Sequence, residues 1–178
     1  MSTEGRASVA VIGVGNAYLS DEGAASHVVD EVARRAPPEV EVIDAGLPGP
    51  GLLALLADRK KVVIVDAVDV GYPPGTVCRF RPGEAVPADP ARRHSLHQGD
   101  VLLQLGLAGA LGMGPRETVV IGIQPGDLSP GEDLSPPVER AIPEAARLAL
   151  AEVRLQGQPS DGPAALSINR CEEVADGA

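Results

Sequence analysis

Three short runs of this chain are apolar almost without interruption and rich in β-branched residues. They are Ser8–Val14 (Ser-Val-Ala-Val-Ile-Gly-Val), Lys61–Val68 (Lys-Val-Val-Ile-Val-Asp-Ala-Val) and Glu117–Gln124 (Glu-Thr-Val-Val-Ile-Gly-Ile-Gln). A strand with one wet face alternates apolar and polar residues. These runs do not alternate, so each is expected to be buried on both faces, as in a parallel sheet covered by helices on either side. The intervening patterns supply those helices. From Glu22 the period lengthens, and Ala25, Val28, Val29, Val32 and Ala36 form one stripe that Pro37-Pro38 ends. Leu52–Asp58 predicts a short helix and Gln98–Leu111 a leucine-rich one. Ser135 has the character of an N-cap with Pro136 just inside a helix that runs to about Leu155 and is expected to kink near Pro143. Glu39–Asp44 reads as another strand, and Thr76–Arg81 alternates as an antiparallel strand nearer the edge would. The expectation is a single-domain α/β three-layer sandwich over residues 1–156. Its twisted, mostly parallel five-stranded sheet carries helices on both faces. Residues 157–178, rich in Gly, Pro, Ser and acid, are expected to form a flexible tail.

Charge and cysteine usage exclude several functions. A net charge of −10, which short basic groups such as Arg79–Arg81 and Arg92–Arg93 do not offset, repels nucleic acid and anionic membrane. Tyr18, Tyr72 and Phe80 are the only aromatics, too few for a base-stacking platform. Cys78 and Cys171 stand far apart in unlike contexts, which suits a reducing, cytoplasmic compartment better than a disulfide framework. No stretch approaches the roughly 20 apolar residues of a membrane span.

Parallel sheets bind ligands outside the carboxyl ends of their strands. Here that rim is polar, with Asn16, Asp44, Asp66 and Gln124 at four strand ends. Gly13-Val-Gly15 after the first strand suggests a dinucleotide fingerprint, but its third glycine would fall on Tyr18, whose phenol would obstruct close helix–strand packing. A nucleotide-binding enzyme is therefore the alternative reading. Asp21-Glu22 opens a helix, where a carboxylate gains about 0.3–1 kcal/mol from the helix N-terminus, enough to explain an acid there without any function. Asp66 is different. It interrupts a doubly buried strand, and an unpaired carboxylate in that setting costs several kcal/mol, so it requires a partner or a ligand. Asp69 falls in the following turn and is expected to be solvated. Among the histidines, His27 lies about 140° around the helix from Glu22 and should face elsewhere. His94 and His97 form a His-x-x-His pair, of which His97 is nearer the rim. Two carboxylates and one imidazole suit a borderline divalent metal such as zinc or nickel. Neither cysteine is assigned a role, and Cys78 is expected to pack as a small apolar residue.

These segments together resemble one family. Gly13-Val-Gly-Asn-Ala-Tyr-Leu-Ser-Asp-Glu-Gly23 is similar to the N-terminal signature of nickel–iron hydrogenase maturation endopeptidases. Asp44-Ala-Gly-Leu-Pro-Gly49 resembles their Asp-x-Gly segment, and Val63-Ile-Val-Asp-Ala67 their acidic strand end. Ser95-Leu-His97 before a leucine-rich helix, and Gly122-Ile-Gln-Pro125 followed by Leu134-Ser-Pro, continue the likeness in order across about residues 8–155. The resemblance implies an enzyme that cleaves a short C-terminal extension from the hydrogenase large-subunit precursor after nickel insertion. The nickel belongs to the precursor and acts as the recognition signal, so no permanently bound cofactor is expected. The family's metal-contacting Glu, Asp and His fall on Glu22, Asp66 and His97. Its Asp-x-Gly acid falls on Asp44, the one catalytic position carried over, which bears on activity less directly. Partners would be the large-subunit precursor and other hydrogenase assembly proteins. A nickel-sensing assembly chaperone without catalysis would share the same ligands. Where the family often has a second glycine after Asp-Glu-Gly, this chain has Ala25.

Overall fold

The computed structural model describes residues 7–47, 49, 51–82 and 96–154, with only the backbone described at 96–100 and 102. Five strands form one sheet: β1 (Val9–Val14), β2 (Val40–Asp44), β3 (Lys61–Ala67), β4 (Val77–Phe80) and β5 (Glu117–Ile123). Their order is β2-β1-β3-β5-β4, parallel throughout except for β4, which pairs antiparallel with β5 at the edge. The helices are α1 (Ala24–Ala33), α2 (Gly51–Leu56), α3 (Leu96–Ala110) and α4 (Pro136–Arg154). The predicted tail and nearly all of the loop 82–93 lie outside the described residues. No described helix is long and apolar enough to cross a membrane.

The continuous apolar runs are buried on both faces, as the absence of alternation requires. β1 and β3 are buried at every position. Successive side chains alternate faces, and two cores result. Val9, Val11, Val63, Val65, Val119 and Ile121 pack with α1 and α4. Ala10, Ile12, Val14, Val62, Ile64 and Val120 pack with α2 and α3. The α1 stripe of Ala25, Val28, Val29 and Val32 is buried, and the small Ala141, Ala145 and Ala149 of α4 lie in the same core. Pro143 sits within α4 without ending it. In α3, Val101 and Ala108 are buried, whereas Leu103 and Leu107 are exposed, as is Leu111 just after it.

Two differences from the sequence reading concern chain direction near the rim. The helix expected from Glu22 begins at Ala24, preceded by a 3-10 turn over Ser20–Gly23. The cause is that Asp21 turns away from its own helix to accept bonds from a distant loop. Ser135 does occupy the N-terminal boundary of α4, its carbonyl accepting from Glu139 N–H at 2.9 Å. Its hydroxyl, however, donates to Asp21 Oδ2 rather than capping the helix.

Beneath the amino ends of the strands lies a set of buried ions absent from the sequence reading. Lys61 Nζ is 2.7 Å from Glu152 Oε2, and Arg79 Nε is 2.6 Å from Glu152 Oε1. Arg59 is also buried, donating to the Leu55 and Ala7 carbonyls and to Glu41 Oε2 at 2.6, 2.9 and 2.7 Å. Charged groups are tolerated there because the donors and carboxylates satisfy one another.

Candidate active site

The strand order fixes where a site belongs. From β1 the chain passes through α1 to β2 on one side, and from β2 through α2 on the opposite face to β3. The carboxyl ends of β1 and β3 thus flank the crevice at which the winding reverses, the position where open α/β sheets bind ligands. Val14 and Asp66 are register partners across that crevice. The turn that follows β1 carries Glu22.

Asp66 is 3% exposed and shares the α2/α3 face with Val62 and Ile64. Burial pushes its carboxyl up to about 8, against the pull of a hydrogen bond from the Ala67 backbone and reinforced by the negative charge of Glu22. No described cation is among the groups that act on it. Glu22 is itself buried, and its charge reaches Asp66. Gly15 is what lets Glu22 approach. A Cβ at Gly15 would lie 2.1 Å from Glu22 O, and one at Gly13 would meet Val29 Cγ1 at 2.8 Å and Ala25 O at 3.2 Å. The glycine pair that resembles a dinucleotide fingerprint therefore serves contact with the chain's own turn and helix.

His97 belongs to α3, and its side chain lies outside the described residues, as does all of His94. α3 spans 15 residues. Just past its C-terminal end the chain is tied to the amino edge of the sheet, Asp58 N–H donating to Met113 O and Arg116 N–H to Arg59 O at 2.9 and 3.1 Å. Among the described residues no three acids, histidines or cysteines are grouped to hold a metal.

Asp44 stands apart. It pairs with Gly13, on the α1 face by the pleat, whereas Asp66 points to the other face. Asp44 is exposed, and its Oδ1 accepts from Gly46 N–H at 3.0 Å, shaping the turn in which Gly46 has a φ of +56°. His27 is exposed on α1, away from the rim pair, as its helical position predicts. Asp69 departs from its expected solvation. It is half-buried and accepts from Gly71 N–H and Gln124 Nε2, both at 3.1 Å. Gln124 Oε1 in turn accepts from Val70 and Tyr72 N–H, so one buried amide holds the whole 69–72 turn. Cys78 packs beside Gly122, and burial pushes its thiol up to about 11, a protonated apolar residue rather than a nucleophile. Cys171 lies outside the described residues.

The residue that sequence reasoning missed is Asp21. It is fully buried and accepts four hydrogen bonds from the segment between β5 and α4. Its donors lie 105 to 114 positions away, so no local signal announces them.

Comparison with known proteins places the fold in a family. The profile of the hydrogenase maturation protease family matches residues 26–152. The hydrogenase 2 maturation protease of Escherichia coli (strain K12) is 36% identical over 155 residues, covering 84% of this chain and 92% of that protein. Hydrogenase expression/formation protein HupD of Bradyrhizobium diazoefficiens is 35% identical over 144 residues, covering 79% and 75%. The structure of the hydrogenase maturating endopeptidase HybD from Escherichia coli superposes with a TM-score of 0.75 at 34% identity, covering 84% of this chain and 93% of that one. With its sheet and its relatives in agreement, the chain belongs to the hydrogenase maturation protease family and is a hydrogenase maturation endopeptidase.

Proposed function

We propose that this endopeptidase removes a C-terminal extension from the nickel-loaded large-subunit precursor of a nickel–iron hydrogenase, in the cytoplasm. Nickel enters as part of the substrate, and no cofactor resides in the enzyme. Glu22, Asp66 and His97 engage the ion and thereby report that insertion is complete. Asp44 shapes the adjoining turn and acts on cleavage indirectly. The observation that carries this reading is Asp66. A carboxylate buried at the switch point, against a second carboxylate and with no described cation acting on it, has the chemistry of a site that a divalent ion would relieve. Oxygen ligands from Glu22 and Asp66 on one side, with a nitrogen ligand from α3 on the other, fit nickel's borderline preference.

The test is processing of a cognate large subunit, read as a mobility shift, with and without nickel. Asp66→Asn preserves shape and removes the charge. The variant is expected to stay folded by thermal melting while cleavage of nickel-loaded precursor falls at least 100-fold, and the wild type should leave nickel-free precursor intact. Full cleavage by folded Asp66→Asn, or equal cleavage of both precursors by the wild type, would overturn the reading.

A further inference from the structure

Asp21 precedes Glu22 in the same 3-10 turn. Its Oδ2 accepts from Gly126 N–H at 2.7 Å, Asp127 N–H at 2.8 Å and the Ser135 hydroxyl at 2.8 Å, and its Oδ1 accepts from Ser135 N–H at 2.7 Å. The backbone of the turn is held by the same segment. Asp21 N–H donates to Asp127 O at 3.0 Å, Ser20 N–H to Gly131 O at 2.8 Å, and Gly131 N–H to Tyr18 O at 3.0 Å. Ser20 adopts a φ of +45°, left-handed backbone that a non-glycine residue holds only when its surroundings dictate it. On its other side the turn abuts β1, where only a glycine at position 15 leaves room for Glu22 O. Glu22 therefore sits on a peptide clamped between the end of β1 and the strap 126–135.

A neutral side chain or a single backbone bond would suffice to tether one loop to another. Four short donors converging on one fully buried carboxylate do more, because charge-assisted bonds from a fork of fixed N–H groups define position and orientation together. We infer that Asp21 is a positioning residue. By locking the turn onto the strap it sets where the Glu22 carboxylate stands relative to Asp66, and so the geometry with which the pair grips a divalent ion. The inference rests on the Glu22–Asp66 reading above.

Cadmium(II) alone, titrated calorimetrically into the full-length protein, probes the grip directly, alongside processing of nickel-loaded precursor and thermal melting. Asp21→Asn keeps the shape but turns an amide N–H₂ toward one of the donors. It is expected to fold, to bind cadmium at least tenfold more weakly and to cleave at least tenfold more slowly. Ser135→Ala, which removes only the hydroxyl donor, should move both readouts about threefold in the same direction. Arg79→Ala loosens the opposite edge of the sheet and serves as the stability control. It should melt lower yet bind and cleave within twofold of wild type. Folded Asp21→Asn within twofold of wild type in both readouts would overturn the inference, as would equal losses in Arg79→Ala. Should Asp21→Asn fail to fold, Ser135→Ala decides: weaker binding by a folded protein supports positioning, and unchanged binding defeats it. Glu22→Gln separates the two layers. Wild-type cadmium binding and cleavage by that variant would remove the parent reading, whereas their loss beside an unaffected Asp21→Asn would remove only the positioning role.

Discussion

Two aspartates of this enzyme are buried in contrasting ways. Asp21 has its oxygens taken up by four donors, while Asp66 has a backbone bond, a like-charged neighbour and a carboxyl pushed up to about 8. Between the ordinary aspartate value near 4 and about 8, folded Asp66 retains a proton that the unfolded chain has released. Wherever the folded state binds more protons, stability falls as pH rises, so Asp66 contributes a loss across that window and none beyond it. The slope is at most about 1.4 kcal/mol per pH unit. Melting of the metal-free protein from pH 4 to pH 8 should show this decline in the wild type relative to Asp66→Asn, which cannot titrate. Parallel profiles for the two proteins would show that Asp66 is already ionised in the fold.

At the scale of elements, the join between β1 and α1 carries the most demanding geometry. Gly15→Ala would bring a methyl to 2.1 Å from Glu22 O, against backbone rather than a yielding side chain. Overpacking of this kind costs about 1–3 kcal/mol, and here the strain is relieved by displacing the peptide that bears Glu22. The expected result is a lower melting temperature with processing reduced at least tenfold. A folded variant with wild-type turnover would show that the turn yields without consequence. Strands and helices were legible in the sequence because their cause is local: β1 and β3 show unbroken burial in their composition, and the α1 stripe shows its period. The rim position of Asp66 followed from the same logic. The 3-10 turn was not legible, because it depends on Asp21 meeting Gly126, Asp127 and Ser135 across the molecule. Arg59 and the Lys61–Glu152 pair were hidden for the same reason, the latter separated by 91 positions. The glycines at 13 and 15 were visible, yet their purpose was not, since a phosphate and the chain's own carbonyl make the same demand for space.

Across the whole molecule the sheet has two chemically distinct ends. Near the carboxyl edge two buried acids, Glu22 and Asp66, act on each other through their charge. At the amino edge Glu152 joins β3, β4 and α4 through Lys61 and Arg79. Burial penalises the Glu152 carboxylate, but the hydrogen bonds and charges of Arg79 and Lys61 outweigh this and hold it below the usual range. A depressed folded value means the stabilisation is present above the unfolded pKa and is lost as pH falls through the folded one. Melting temperature should therefore drop below about pH 4, and Glu152→Gln should flatten that drop while starting from a lower plateau. An unchanged acid limb in the variant would assign the loss to other carboxylates. The same edge carries Ala7, held by Arg59, and the last turn of α4 just past Glu152. A fluorophore attached at Ala7 or Arg154 would thus stand about one strand length from the Glu22–Asp66 pair, leaving that rim open to an incoming precursor.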